Sequence, residues 1–284
     1  MTLLPGAANS KSAREKEHAL LAWLRAHGSA LLGFSGGVDS TYLASVATEA
    51  LGPDRVLAVI GRSPSYPEEQ WRVARDVARQ IGLVVEELDT QEMSDPRYAA
   101  NPANRCYFCK TELWGKLAPL ARERGFAVVI DGTNADDIGG HRPGMRAARE
   151  HGVESPLVDV GMTKRDVRER SHARGLPTWS QPSSPCLSSR LQYGLHVTPQ
   201  RLAQVERAER ALRDLGIAGD LRVRHHGDLA RVELSRDVLG AWLAPERLQL
   251  LAAAVRSAGF PRVAVDLRGF RSGSLNILHE VSAA

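Results

Sequence analysis

Short apolar runs alternate with amphipathic segments through residues 12–174. Val56–Ile60 is typical of a buried strand, and in the segment Pro67–Ile81 apolar residues recur at helical spacing. Strands and helices that alternate in this way predict a parallel, doubly wound α/β sheet. We expect Thr163 and Asp166 to cap the last helix of this region. The predicted strands are Ala30–Phe34, Val56–Ile60, Leu83–Leu88 and Ala127–Ile130, and the predicted helices are Ser12–His27, Thr41–Leu51, Pro67–Ile81, Thr111–Arg124 and Met162–Arg174.

The pattern changes after Ser180–Pro185, which is rich in serine and proline and is interpreted as a loop or linker. Beyond it, two short alternating strands predict a hairpin. We therefore predict two domains, a doubly wound α/β domain over residues 1–185 and a smaller α+β domain over residues 186–284. The second domain has predicted strands Leu221–Arg224, Leu229–Leu234 and Arg262–Leu267 and predicted helices Pro199–Leu215 and Pro245–Ala258.

Composition limits the class of protein. Of the 284 residues, 43% are hydrophobic and 25% are charged, which is ordinary for a globular domain. No apolar run approaches the length of a membrane span, and Met1–Glu15 lacks the apolar core of a secretory signal. We therefore expect a cytoplasmic protein with no membrane partner. Three cysteines are an odd number, so a disulfide framework is not expected.

The net charge of +4 is concentrated at the end of the chain. From Arg190 onward there are 14 arginines, no lysine and 10 acidic residues, so this segment carries the whole excess. Arginine without lysine suits bidentate binding of phosphate or carboxylate. Arginine bias from a GC-rich genome is the alternative for most of these positions. The charge is too small by itself to predict a nucleic-acid partner.

The stretch Phe34–Ser40 reads Phe-Ser-Gly-Gly-Val-Asp-Ser and lies between the first predicted strand and the next helix. Paired glycines let the backbone approach an anion, and the amides that open a helix attract negative charge. The ordinary phosphate loop carries a lysine, whereas this one carries Asp39, which suggests a bridging Mg²⁺. A plain serine–glycine turn is the alternative. The predicted anion ligands are Ser35, Gly36, Gly37 and Ser40.

This loop resembles that of the ATP pyrophosphatases, the PP-loop family, which hold a leaving pyrophosphate and transfer AMP to an acceptor. A second polar stretch, Asp131–Asp137, directly follows another buried strand. Carboxyl ends of parallel strands line one crevice, so we expect Gly132 and Asn134 to contribute to nucleotide binding. Taken alone, this stretch is equally typical of a turn.

The cysteines form two groups, Cys106-Tyr-Phe-Cys109 and the distant Cys186. A CxxC pair binds zinc or an iron–sulfur cluster, carries out redox exchange, or is simply buried. Zinc requires four ligands, and the sequence offers one further cysteine. Arg190, four residues after Cys186, is close enough to favour a nucleophilic thiolate there. Three thiolates on a cubane of four irons leave one iron open.

Five stretches together resemble the LarE family, and the resemblance spans nearly the whole chain. LarE-type enzymes are ATP-dependent sulfur transferases of nickel-pincer nucleotide biosynthesis. They adenylate a carboxylate of pyridinium-3,5-biscarboxylic acid mononucleotide and replace a carboxylate oxygen with sulfur. The matching stretches are Phe34–Ser40, Asp131–Asp137, Pro182–Arg190, Leu221–Glu233 and Asp266–Asn276.

The resemblance implies one of two sulfur sources. One form of the family sacrifices a single cysteine, which matches Cys186 and becomes dehydroalanine. The other form binds a 4Fe-4S cluster through three cysteines, and Cys106 and Cys109 place this chain with it. The resemblance also implies a homo-oligomer, since LarE relatives form hexamers. The implied partners are ATP, Mg²⁺ and the pyridinium mononucleotide.

The resemblance further assigns substrate ligands. Arg222 and Arg224 match family positions that bind the substrate's phosphate, and they alternate on one face of a predicted strand. Arg190 is expected to contribute to the same substrate. Glu233 falls where the family places a metal-binding acid, and a solvated strand residue is the alternative. Asp39 is the expected Mg²⁺ ligand.

Other functions remain open at this stage. A PP-loop tRNA thiolase shares the loop and in some cases a three-cysteine cluster, but the weak charge argues against a nucleic-acid partner. An amide-forming ligase, such as an NAD or GMP synthetase, does not need Cys186. A nucleotide-binding scaffold would show no ATP–pyrophosphate exchange with any carboxylate.

Overall fold

A computed structural model describes residues 11–139, 142–182, 184–271 and 273–275. Residues 1–10, Ser183, Ser272 and Asn276 belong to stretches interpreted above and lie outside the described residues. The chain divides into two compact units. The first comprises Met1–Gly61, Gln70–Leu88 and Leu113–Gln181, and the second comprises Arg62–Glu69, Asp89–Glu112 and Pro182–Ala284.

The first unit contains a five-stranded parallel sheet, which confirms the predicted α/β class. The sheet order is β3-β2-β1-β4-β5, so the chain leaves β1 toward one side and returns with β4 on the other. Leu31 in the central strand pairs with Leu57 on one side and Val129 on the other. The strands are β1 (Ala30–Gly33), β2 (Val56–Arg62), β3 (Val85–Asp89), β4 (Val128–Ile130) and β5 (Val153–Glu154).

The helices before residue 175 alternate with these strands, as predicted. Helix α2 begins three residues before the predicted start at Thr41, and α5 begins six residues before the predicted start at Thr111. Proline follows the N-cap of three short helices that were not predicted, those at residues 96, 143 and 156. The helices are α1 (Ala13–His27), α2 (Val38–Leu51), α3 (Glu68–Gln80), α4 (Pro96–Ala99), α5 (Arg105–Glu123), α6 (Pro143–Glu150), α7 (Pro156–Asp159) and α8 (Lys164–Ala173).

Close packing around β1 fixes the sheet against α5. Trp114, which is 1% exposed, packs on Gly33 so tightly that a Cβ at that position would lie 2.4 Å from the indole ring. The preceding strand residues Ala30, Leu31 and Leu32 are fully buried. The last strand residue before the phosphate loop is therefore restricted to glycine by its neighbour.

A buried ion-pair cluster joins α1, α2 and α8. Glu17 accepts hydrogen bonds from Arg170, Arg174 and the hydroxyl of Tyr42. Burial opposes the charge, but these bonds outweigh it and lower the pKa of Glu17 to about 2. The predicted cap of α8 is confirmed, because Thr163 accepts from the Asp166 amide and the Asp166 carboxylate accepts from the Thr163 amide.

The second unit contains a three-stranded sheet in the order β6-β7-β8. The predicted hairpin is confirmed, since β6 and β7 are antiparallel, and β8 joins β7 in parallel. Apolar faces of two helices pack on the sheet through Leu202, Val205, Leu251 and Val255. The elements are α9 (Pro199–Asp214), β6 (Leu221–His226), β7 (Leu229–Leu234), α10 (Arg236–Trp242), α11 (Pro245–Ser257) and β8 (Arg262–Val265).

Among the described residues, no single helix is both long and apolar enough to cross a membrane. The pair α10 and α11 meets the length and composition test together, but is bent by 103° at its break.

Candidate functional site

The loop after β1 adopts a conformation that requires its first glycine. Gly36 has φ +64°, in the left-handed region that glycine tolerates. A Cβ there would also lie 2.5 Å from the Cα of Ala74, a backbone atom of α3. Gly37 has φ −79° and is the N-cap of α2. The backbone therefore turns directly into the helix N-terminus, where amides point away from the helix.

Two serine hydroxyls form hydrogen bonds within the loop. The Ser40 hydroxyl donates to the Gly37 carbonyl oxygen at 3.2 Å and lies 3.1 Å from the Ser35 hydroxyl. Because α2 starts at Val38, Asp39 and Ser40 lie in its first turn rather than before it. A carboxylate in a first helical turn is favoured by the helix dipole, which explains the earlier start.

The structure brings the second polar stretch against this loop. Strands β1 and β4 are neighbours, so their carboxyl ends lie side by side at the point where the sheet order reverses. A Cβ on Gly132 would lie 3.0 Å from the Ser40 amide nitrogen. Asn134 is 4% exposed, and its Nδ2 lies 3.4 Å from Oδ1 of Asp39. Glycine at position 132 thus permits the close approach of the two stretches.

Lys164 is a site residue that the sequence reasoning missed. Its Nζ donates to Oδ2 of Asp39 at 2.6 Å, and its backbone amide donates to Oδ2 of Asp136 at 2.8 Å. A lysine at the start of α8 therefore lies beside a loop that has none in its own sequence. The available signal was its position directly after the predicted cap Thr163, since a capped helix N-terminus is a common anion site.

The three cysteines lie in the second unit and interact electrostatically with one another. Both members of the CxxC pair lie at the start of α5, rather than in the loop before it. Cys106 is exposed at the surface. The pKa of its thiol is nevertheless raised, mainly because nearby protein atoms exclude water from it and secondly because of the charge of Cys186. Burial, then Glu92 and Cys186, raise the pKa of Cys109. Where the structure describes the chain, no three His, Cys, Asp or Glu side chains are close enough to hold a single metal ion.

The turn that carries Cys186 is tied to its surroundings by backbone and side-chain bonds. The Leu187 amide donates to the Ser65 carbonyl oxygen at 2.8 Å. The Ser188 hydroxyl lies 2.6 Å from the hydroxyl of Tyr98. Burial, and then the nearby Cys186, raise the pKa of Tyr98. Arg190 is 2% exposed, pairs with Glu209 and donates to the Cys186 carbonyl oxygen.

Strand β6 carries both predicted phosphate ligands as buried side chains. Arg222 stacks over the Phe270 ring at 5.0 Å, and burial, then the neighbouring Arg190, lowers its pKa to about 10. Arg224 pairs with Glu233 at 2.8 Å. Burial makes the charged form of Arg222 unfavourable, and an anion bound beside that guanidinium would offset this cost.

Glu233 is fully buried within cationic and hydroxyl donors. Oε2 accepts from Arg224, and Oε1 accepts from Arg231 at 3.0 Å and from the Ser274 hydroxyl at 2.7 Å. The solvated strand residue considered as an alternative is therefore excluded by its 0% exposure. Its role as a metal-binding acid stays a prediction.

The parallel sheet and the loop at its switch point define a nucleotide-binding domain of the PP-loop type. A model of the NAD synthase family matches residues 22–104, which include β1, the loop, α2, β2 and β3. That match covers the loop and leaves the cysteine-bearing turn and the second sheet unmatched.

Three relatives match most of the chain. An uncharacterised protein of Synechocystis sp. is 45% identical over 247 residues, which cover 87% of this chain and 91% of that protein. The pyridinium-3,5-bisthiocarboxylic acid mononucleotide synthase of Lactiplantibacillus plantarum is 35% identical over 92% of this chain and 94% of its own length. An uncharacterised protein of Methanocaldococcus jannaschii is 27% identical over 85% of this chain and 90% of its own length. The chain belongs to the LarE family, as that likeness to the synthase shows.

Proposed function

We propose that this protein is an ATP-dependent sulfur transferase that converts a carboxylate of pyridinium-3,5-biscarboxylic acid mononucleotide into a thiocarboxylate. The supporting observation is the phosphate loop of the first unit, closed by Gly132 and flanked by Asp39 and Lys164. Likeness over 92% of the chain to a synthase of the bisthiocarboxylic acid mononucleotide supports the choice of substrate.

The first step activates the acid. A carboxylate is a poor electrophile at carbon, because its negative charge repels an attacking nucleophile. Its oxygen attacks the α-phosphorus of ATP, which forms an acyl adenylate and releases pyrophosphate. The loop amides at Gly36 and Gly37 and the hydroxyls of Ser35 and Ser40 hold the departing pyrophosphate. Lys164 adds a positive charge beside them.

Mg²⁺ fits this loop by donor chemistry. Asp39 offers a carboxylate beside the position of the phosphates, and oxygen is the ligand that Mg²⁺ prefers. Bound there, the ion would neutralise charge on the phosphates and so favour release of pyrophosphate. The other oxygen of this carboxylate, Oδ2, accepts from Nζ of Lys164 at 2.6 Å, so a cation already neighbours the group.

The second step replaces AMP by sulfur. A sulfur nucleophile attacks the activated carbonyl carbon, the carbon–oxygen bond to AMP breaks, and AMP leaves with the electron pair. If Cys186 is the donor, its thiolate forms a thioester, and β-elimination then yields the thiocarboxylate and leaves dehydroalanine. Arg222 binds the phosphate of the mononucleotide during both steps. Arg224 is held by Glu233 and by the Ser189 carbonyl oxygen, and its part in binding that phosphate stays a prediction.

The other possible sulfur source, and the one that the CxxC pair favours, is a 4Fe-4S cluster, which Cys106, Cys109 and Cys186 would hold. The three thiols fit in kind, because thiolates are the usual ligands of such clusters. Thiolates on different irons of a cubane lie farther apart than ligands of a single ion. When bound, the cluster would supply the transferred sulfur.

We also propose that the protein forms a homo-oligomer, a hexamer as in LarE relatives, and that it is located in the cytoplasm.

The experiment that tests the function is ATP–pyrophosphate exchange with the pyridinium acid. We expect exchange that requires the acid, followed by thiocarboxylate formation when sulfur is available. If no carboxylate supported ATP–pyrophosphate exchange, the protein would be a nucleotide-binding scaffold or would have a different substrate. Salt-sensitive binding of bulk tRNA would support the tRNA thiolase. If Cys186→Ala carried out the complete reaction, beyond exchange, as fast as the wild type, an amide-forming ligase would be supported.

Iron and sulfide analysis of anaerobically purified protein separates the two sulfur sources. With a cluster, we expect brown protein with broad absorbance near ~400 nm, and Cys106→Ser should lose most of the iron. Colourless protein that takes up no iron on reconstitution would contradict the cluster. Mass spectrometry after turnover should then find Cys186 lighter by the mass of H₂S.

A further inference from the structure

A buried guanidinium, that of Arg190, holds the turn that carries Cys186. Nη1 donates to the carbonyl oxygens of Pro185 and Cys186, the latter at 3.1 Å. It also lies 3.2 Å from the Ser189 hydroxyl, which itself donates to the Cys186 carbonyl oxygen at 2.7 Å. One side chain therefore fixes two consecutive carbonyl groups of the turn, which precede and follow the Cys186 α-carbon.

Glu209 on α9 holds the other edge of the same guanidinium. Nε donates to Oε1 at 3.1 Å, and Nη2 donates to Oε2 at 3.2 Å, which is a bidentate pair. Oε1 also accepts from the Val223 amide at 3.0 Å. The Arg190 side chain is 3% exposed and that of Glu209 is 17% exposed, so solvent screens the pair little. The Cys186 turn is thereby tied, through two side chains, to the regular elements α9 and β6.

These contacts argue against the substrate role that the resemblance implies for Arg190. All three guanidinium nitrogens have protein partners. A phosphate that bound Arg190 would have to displace a carbonyl oxygen or approach the negative charge of Glu209. The carboxylate of Glu209 would repel the negatively charged phosphate, and this repulsion would lower the affinity for the substrate.

We propose that Arg190 is a positioning residue that fixes Cys186 for sulfur transfer, with Glu209 as its counter-ion. The proposal rests on the function proposed above. Pro185 and Cys186 precede the short turn at Leu187 and lie in no helix or strand, so their orientation depends on such contacts. A sulfur atom reacts efficiently with a bound acyl adenylate only from a narrow range of positions.

The test separates the two half-reactions in the full-length protein, purified anaerobically with its sulfur source in place. Arg190→Lys keeps the positive charge but cannot bond both Glu209 and the two carbonyls. We expect its rate of thiocarboxylate formation to fall about 10²-fold, the effect typical of a misplaced reacting group. The KM of the pyridinium acid in ATP–pyrophosphate exchange should stay within about twofold, because adenylation does not use sulfur. Glu209→Gln should show the same split, with a smaller loss.

Arg207→Lys is the matched control, because Arg207 lies on α9 and donates to the Ala258 carbonyl oxygen at 3.3 Å. It should behave as the wild type in both assays. If the acid KM in exchange rises in step with the loss of product, Arg190 binds substrate and the proposal is wrong. Wild-type product formation in both variants would overturn it as well.

Folding and function controls keep these outcomes distinct. Should Arg190→Lys fail to fold, Glu209→Gln carries the test, since its amide oxygen still accepts from the Val223 amide. If the wild type shows no acid-dependent exchange, the proposed function fails, whatever the variants do.

Discussion

At the residue scale, two adjacent glycines of the phosphate loop have different reasons to be glycine. Gly36 combines φ +64° with a neighbour, Ala74, whose Cα would lie 2.5 Å from an added Cβ. Gly37 has φ −79°, and an added Cβ would meet only the Ser35 hydroxyl, at 3.4 Å. The first position is constrained by the fold, and the second is free of that constraint.

We expect Gly36→Ala to lower the free energy of unfolding by about 2–4 kcal/mol, through left-handed strain and overpacking against backbone. Gly37→Ala should lower it by less than about 1 kcal/mol, since it adds a methyl group without a clash. Urea denaturation followed by circular dichroism measures both. Equal losses in the two variants would contradict this account of the loop.

Lys164 provides a second test at this scale. Lys164→Met removes the cation that lies 2.6 Å from Asp39, and we expect acid-dependent pyrophosphate exchange to fall. A charge-assisted bond of this kind is worth about 10- to 100-fold. Lys11→Met, at an exposed lysine outside the helices and strands, is the control and should retain wild-type exchange. Unchanged exchange in Lys164→Met would remove the residue from the nucleotide site.

At the scale of elements, α1, α2 and α8 share one buried carboxylate. Glu17 is 5% exposed and its pKa lies near 2, below the ordinary 4.5. A group with a lowered pKa in the folded state stabilises the fold fully above its unfolded pKa and loses that effect as pH falls toward the folded value. The stability held by Glu17 is therefore lost between about pH 5 and pH 2.

We expect Glu17→Gln to destabilise the protein by about 3 kcal/mol at pH 7, as a shift of this size implies. The variant should also lose less stability than the wild type between about pH 5 and pH 2, because its amide does not titrate. Thermal unfolding across this pH range makes the comparison. Parallel pH profiles in the two proteins would show that Glu17 is not the group responsible.

Elements also show where pattern reasoning fails. Strand β5 has two residues, too few for any periodicity to appear in the sequence. Helix α5 starts at Arg105, although the aromatic and cysteine residues of its first turns are poor helix formers, so local propensity did not predict this start. Arg105 is 4% exposed, and its side chain bonds to that of Asn101, four residues before it in the chain.

At the scale of the whole molecule, the predicted ATP ligands lie in the first unit and the predicted substrate arginines lie in the second. Binding of the two substrates is therefore expected to respond to different variants. This separation follows from the fold of each unit by itself, since the phosphate loop belongs to the parallel sheet and Arg222 to the hairpin.

We expect Arg222→Ala to raise the KM of the pyridinium mononucleotide about 10-fold or more, with little change in the KM of ATP. Exchange kinetics with each substrate varied in turn measure both constants. Arg262→Ala is the control, because that side chain is 71% exposed on β8. A proportional rise in both constants would show a general loss of folding or a shared role.

The sequence by itself determined the α/β class, the phosphate loop, the hairpin, the cap of α8 and the family. These features depend on local pattern, on backbone conformation at glycine, or on extended similarity, all of which are written along the chain. Only the tertiary structure decided that Lys164 meets Asp39 and that Arg190 and Glu209 hold the turn of Cys186. Those partners are 125 and 19 residues apart. Contacts between distant residues arise from packing of whole elements, which no local pattern encodes.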